Sequence, residues 1–266
     1  MENSNCPEKF DNPEYIGWKK RTAVFLLSQG ISLFGSSMVN YAIVWYVTLK
    51  TSSGAMMTIT ILTSFLPQIM IALFAGVWAD RYNRKHVIMA SDGLTALATL
   101  VLAILFLAGY REIWLIFAAS AIRSIGAGIQ SPAESSILPQ FVPKEKLMRV
   151  NGINGSIRSF ITLLSPAAGG FLLAAFSVEI AFFVDVVTAA IAISILFFLR
   201  VSTHHKAGAD QSTSVIEDFR QGISFVKSNF LIRNLLIYYA VFFFLISPAA
   251  FLTPLLITRS YGTEVW

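Results

Sequence analysis

Gly76-Val77-Trp78-Ala79-Asp80-Arg81-Tyr82-Asn83-Arg84-Lys85-His86-Val87-Ile88 is the stretch that decides how this chain folds. It packs Asp80, Arg81, Arg84 and Lys85 into a few residues, and on both sides the charges stop. Residues 56–79 before it hold no ionisable group, and residues 87–109 after it hold only Asp92. Each run is long enough for a helix to cross a bilayer core, which takes about 20 apolar residues. Strands of a membrane barrel would be half as long and would alternate in polarity. Two membrane helices joined by a tight basic turn are therefore expected.

The same pattern continues in both directions. Apolar runs of spanning length occupy 23–49, 113–135, 153–176, 180–199 and 230–257, making seven predicted spans with the first two. Composition agrees, with 13% charged and 55% hydrophobic residues and a mean hydropathy of +0.66. A soluble domain carries about 25% charged residues. The net charge of +5 does not imply a nucleic-acid partner, because the cations sit in short clusters between apolar runs rather than on one face. The expected fold class is thus an all-α integral membrane protein: a six-helix bundle over 23–199 with a seventh transmembrane helix over 230–266.

Basic residues set the orientation, since Lys and Arg concentrate on the cytoplasmic side. Lys9, Lys19, Lys20 and Arg21 precede span one, and Arg81, Arg84 and Lys85 follow span two. Lys144, Lys146 and Arg149 follow span four, while Arg200, Lys206, Arg220, Lys227 and Arg233 lie between spans six and seven. The opposite side has only Lys50, Arg111 and Arg259. Residues 1–22 are accordingly expected to be a cytoplasmic segment of a cell-membrane protein, too polar for a cleaved signal peptide. Residues 200–229 form a cytoplasmic loop. Ile216, Phe219, Ile223 and Val226 recur there at helical spacing, predicting an amphipathic helix that lies on the membrane or packs on the protein's own face.

The opening stretch resembles the signature loop of the major facilitator superfamily: Gly76, then Asp80-Arg81, then Arg84-Lys85 and an aliphatic residue. Trp78 stands where that family usually has Leu. Asn83 replaces a common Gly, and Asn tolerates left-handed backbone better than most residues. The resemblance implies a gating loop in which Asp80, Arg81, Arg84, Lys85 and Glu134 exchange ion pairs as helices rock, while Gly76 admits a close neighbour. The positive-inside rule alone accounts for the cations but not for the Gly76–Asp80–Arg81 spacing.

Span five resembles the family's exporter motif in Gly152, Pro166, Gly169 and Gly170, with Ile161 and Ser165 where glycine is usual. Such a helix can bend and pack closely at a moving interface, or can be an ordinary packing helix. Span four carries Arg123 followed by Gly126 and Gly128, as the family does. Phe65-Leu66-Pro67, the stretch from Pro132 to Pro143, and Asp185-Val186-Val187 are similar to one branch, which includes bacterial macrolide-efflux proteins and related siderophore and drug exporters.

Ionisable residues at membrane depth are costly unless paired or hydrated, so each is a functional candidate. These are Arg123 in mid-span, Asp185 in the outer part of span six, and Asp92, Glu134 and Arg158 near inner ends. Proton coupling needs a buried carboxylate whose proton affinity changes with helix motion. Asp185 fits because no cation in its own helix neutralises it. Arg123 either pairs with it as a fixed structural bond or senses proton movement, as the resemblance implies. Glu134 is expected to reach Arg81 or Arg84. In span one, Ser28, Ser32, Ser36 and Asn40 recur every four residues, a polar stripe that either lines a substrate cavity or bonds helix backbones.

No nucleotide-binding P-loop occurs, so transport would run on an ion gradient. No cofactor and no metal site is expected. Cys6 is the single cysteine, and His204-His205 lies in a polar loop. No nucleophile–base arrangement suggests an enzyme. The expectation is a secondary exporter of small amphipathic compounds, macrolide-type drugs foremost, using protons as coupling ion and the lipid bilayer as surroundings. The alternatives are export of a siderophore or lipid-like metabolite, or a truncated non-transporting membrane protein. Twelve spans are usual in the family, so a missing C-terminal helix bundle is expected to complete the cavity.

Overall fold

The structure is a computed structural model that describes residues 17–199, 220 and 224–261, with the side chains of residues 73, 76–81, 248–251 and 261 outside that description. It is all-α. Helices run over Trp18–Thr51 (α1), Gly54–Arg81 (α2), Arg84–Leu107 (α3), Ile113–Ile137 (α4), Lys144–Ala175 (α5), Val178–Phe198 (α6) and Phe230–Tyr261 (α7). All seven carry a segment long and apolar enough to cross a membrane. The expected amphipathic helix over 216–227 lies largely outside the described residues.

Helix ends follow local chemistry. Asn83 does not take the left-handed conformation that its replacement of glycine suggests. Its φ is −62°, and its side chain accepts a hydrogen bond from the Lys85 amide, capping α3. Capping, not backbone tolerance, is what suits Asn to this turn. At the far end of α3, Gly109 takes φ 93° and the Tyr110 amide returns to the Leu105 carbonyl. Helix α5 begins at Lys144, nine residues before the apolar run at 153, because Pro143 caps a polar turn that continues the helix beyond the hydrophobic stretch. Pro67, Pro132 and Pro166 lie inside α2, α4 and α5. Membrane helices tolerate this where neighbours satisfy the freed carbonyls.

Helices α1 to α6 alternate in direction. One end of the bundle gathers the α2–α3 turn and the α4–α5 link and is here called the basic end. Helix α1 packs on α5 and α6, α3 packs on α4 and α6, and α2 lies chiefly along α4; α7 touches α1 and α2 only lightly. Gly128 allows the α2–α4 contact, since a Cβ there would stand 2.8 Å from the Gln68 carbonyl oxygen.

The interior has three layers. Phe25, Ile88, Ile137, Phe141 and Leu196 form an apolar cluster towards the basic end. Val39, Ile43, Phe106, Ile116 and Phe182 form a second towards the opposite end. Along α1, α3, α4 and α6 alike, the residues between these clusters include buried polar ones: Ser28 and Ser32, Asp92 and Thr99, Arg123 and Ser124, and Asp185. A polar layer is thus closed off by hydrocarbon on both sides, at mid-helix.

Candidate functional site

The polar layer splits into two groups of side chains. In the first, Arg123 of α4 reaches Asp185 of α6 and Thr99 of α3 with one guanidinium nitrogen, and donates to the Ser36 carbonyl of α1 with the other at 3.2 Å. Ser36 Oγ donates to Asp185 Oδ1 at 2.9 Å, and Thr99 Oγ1 lies 2.8 Å from Oδ2. Both oxygens of Asp185 are therefore satisfied, and four helices converge on one ion pair. Gly35 makes room for it: a Cβ at that position would fall 3.2 Å from the Asp185 Cα and on top of the Thr188 hydroxyl.

The second group lies nearer the basic end. Ser32 Oγ donates to Asp92 Oδ1 at 2.6 Å, and Gln130 Nε2 donates to the same oxygen at 3.0 Å and to Gln29 Oε1 at 3.1 Å. Asp92 Oδ2 is buried and has no hydrogen-bond partner. One turn along α4 from Gln130, Glu134 forms an ion pair with Arg158 of α5. Arg158 is 44% exposed, so this pair reaches the bundle surface while Glu134 stays enclosed.

Several candidate residues fall differently from what the sequence suggests. Glu134, expected to meet Arg81 or Arg84, has Arg158 as its ion-pair partner, because the long Arg158 side chain reaches it from α5, which packs chiefly on α1. The side chains of Gly76, Asp80 and Arg81 lie outside the described residues. Lys85 donates to the Phe197 and Leu199 carbonyls at 2.7 and 3.0 Å, tying the α2–α3 turn to the C-terminus of α6. That end carries the negative pole of the helix dipole.

The polar stripe of α1 is not straight. At 3.6 residues per turn, every step of four residues overshoots by about 40°. Ser28 and Ser32 point into the bundle, where Ser28 bonds the Ala192 carbonyl of α6 at 2.9 Å, whereas Asn40 has swung to the exposed face. In α5, Gly169 is buried and a Cβ there would meet the Met38 carbonyl of α1 at 3.2 Å. Gly170 is buried too and Pro166 half-buried, while Gly152 faces open space.

Thr99 and Gln130 join the site without having stood out in the sequence. The signal was present, since Thr99 follows Asp92 by seven residues and Gln130 follows Arg123 by seven. Two turns of helix return a side chain to nearly the same face. Among the described residues no group of His, Cys, Asp or Glu is placed to hold a metal ion.

A bundle of membrane-length helices with a charged layer sealed at its centre defines a multi-pass membrane protein. The sequence profile of the Major Facilitator Superfamily matches residues 25–265. The chain belongs to that superfamily, whose members are membrane transporters and not enzymes. It is 28% identical to macrolide efflux protein A of Streptococcus pyogenes over 95% of its own length and 62% of that protein's. The protein of the same name from Enterococcus faecalis is 28% identical over 80% of this chain and 66% of its own length. A lysophospholipid transporter of Serratia proteamaculans is 26% identical over 68% and 44%, respectively. The chain thus spans about three fifths of the length of the first of these relatives.

Proposed function

We propose that this chain supplies the N-terminal bundle of a proton-driven exporter of small amphipathic compounds, with macrolide-type drugs as leading substrates. The observation that carries the reading is the ion pair of Arg123 and Asp185 buried between two apolar clusters in a superfamily of transporters. A charged pair at that depth is expensive to build. Its hydrogen bonds reach four different helices and couple their relative positions to the local charge. The similarity to macrolide efflux proteins supports the substrate class.

In this reading α1 starts in the cytoplasm, and a second bundle covers the faces that α2, α5 and α7 leave apolar and exposed, such as Leu66, Met70, Phe160, Leu163 and Phe242. Alternating access then proceeds by rocking of the two bundles about the midplane. The Asp80–Arg81–Arg84–Lys85 turn, Glu134 and the Gly169 contact with α1 act as closures on the way. Asn40, on the exposed face of α1, is the member of the serine–asparagine series best placed to meet substrate. Ser28 and Ser32 serve the bundle's own bonds.

A second reading, export of a lysophospholipid-like molecule, draws on the match to the lysophospholipid transporter. The test is accumulation of labelled erythromycin in cells expressing the full reading frame. Lower accumulation that a protonophore restores supports macrolide export by proton antiport. Accumulation equal to the vector control, with faster movement of lysophospholipid between leaflets, favours the second reading.

A further inference from the structure

We infer that Asp92, rather than Asp185, is the carboxyl group that holds and releases the transported proton. This rests on the proton-antiport reading above and assigns the proton within it.

The inventory of charge in the polar layer comes first. Among the described residues it contains three carboxylates, Asp92, Glu134 and Asp185, and two arginines, Arg123 and Arg158. Arg123 is taken by Asp185 and Arg158 by Glu134. Asp92 is left without a cation. The helices packed against α3 are α4, α6 and, lightly, α2. Of these, α4 presents the acid Glu134 and the already paired Arg123, and α6 presents the acid Asp185. The described side chains of α2 include no ionisable group, and α1 offers only the uncharged Ser32. Asp92 is 2% exposed. A carboxylate so enclosed, whose charged neighbours are two ion pairs already closed on themselves, is far costlier than the neutral acid.

The hydrogen bonds make the same distinction. Asp185 accepts bonds on both oxygens, one of them from a guanidinium, as an ionised carboxylate does. Asp92 accepts both of its bonds on Oδ1, the carbonyl-like oxygen, and leaves Oδ2 bare. Of the two oxygens, Oδ2 is thus the one left free to carry a proton. Release breaks the Oδ2–H bond and hands the proton to water admitted when the helices part. The carboxylate left behind keeps its two donors, Ser32 and Gln130. Gln130 stands one helical turn from Glu134, whose partner Arg158 is half exposed, so the acid has a polar route towards the basic end. Return of a proton from the other side restores the neutral acid.

The experiment is infrared spectroscopy of the full-length protein in lipid nanodiscs at neutral pH, exchanged between H2O and D2O. A protonated, apolar carboxylic acid gives a C=O stretch, shifted by deuterium, that ionised carboxylates lack. The expected result is such a band in the parent protein, lost in Asp92→Asn and retained in Asp185→Asn. Ser32→Ala and Gln130→Leu keep the acid but remove one donor to Oδ1 each, so the band should move to higher frequency in both. These two variants decide the matter if Asp92→Asn does not fold. Absence of the band, its persistence in Asp92→Asn, or an unmoved band in both donor variants overturns the assignment. None of these readouts needs a substrate. A protein with the band but no protonophore-sensitive efflux would therefore fail the transport reading and leave Asp92 as a proton-binding residue.

Discussion

Arg123 of α4 and Asp185 of α6 form an ion pair in which neither side chain is more than 5% exposed, and Ser36 and Thr99 complete the bonding of the carboxylate. Taking one charge away strands the other, which costs about 3–5 kcal/mol for a buried pair. Replacing both with apolar residues removes the problem together with the bond. Asp185→Leu and Arg123→Leu should each lower the melting temperature of the detergent-solubilised protein markedly. The double variant should recover much of the loss. Additive losses in the double variant would mean that the two side chains do not depend on each other.

The same pair depends on a glycine. At Gly35 a side chain would collide with the backbone of Asp185 and with Thr188, neither of which has room to retreat, because α6 is fixed there by the ion pair. Gly35→Val should cost about 1–3 kcal/mol through overpacking and push α6 off α1. At Gly152, on the exposed side of α5, an added methyl group would meet nothing within 4 Å. Gly152→Ala should leave the melting temperature unchanged or slightly raised, because alanine is the better helix former. Equal effects at both sites would contradict the packing described for α1 and α6.

Glu134 and Arg158 join α4 to α5 near the basic end. Because Arg158 is half exposed, water and salt weaken the pair, and its loss should be milder than that of Arg123–Asp185. Glu134→Arg should destabilise the protein by setting two cations face to face. Adding Arg158→Glu should restore most of the stability, and the rescue should shrink as salt is raised. If the exchange fails while Glu134→Gln is harmless, the ion pair contributes nothing to stability.

Much of this fold is legible in the chain because hydrocarbon thickness leaves few choices. The apolar run at 113–135 corresponds to Ile113–Ile137, and the run at 87–109 to Arg84–Leu107. Helix α5 departs most, since its first turns are polar and hydropathy marks only the part facing lipid. The deep charges are legible one at a time, because an Arg or Asp among apolar residues has a visible cost. Their pairing is less so. Which cation Glu134 meets depends on how α4 and α5 cross, and the cations of the α2–α3 turn offer an equally good choice in sequence. The serines of α1 show the opposite lesson: a repeat of four looks like a line in sequence but winds around the helix, sending Ser28 inward and Asn40 outward.

The concentration of lysines and arginines at one end of the bundle implies a definite side for each turn, and the chain contains its own reporter. Cys6 is the only cysteine and precedes α1 by a dozen residues. On the opposite end, Tyr110 in the α3–α4 turn is 63% exposed and has no special backbone geometry, so it accepts a cysteine. In intact protoplasts, a membrane-impermeant maleimide should leave the parent protein unlabelled and should label Tyr110→Cys in a Cys6→Ser background. Permeabilisation should then expose Cys6. Labelling of Cys6 in sealed cells, with Tyr110→Cys protected, would reverse the orientation. The end that carries Lys50 and Arg111 would then face the cytoplasm.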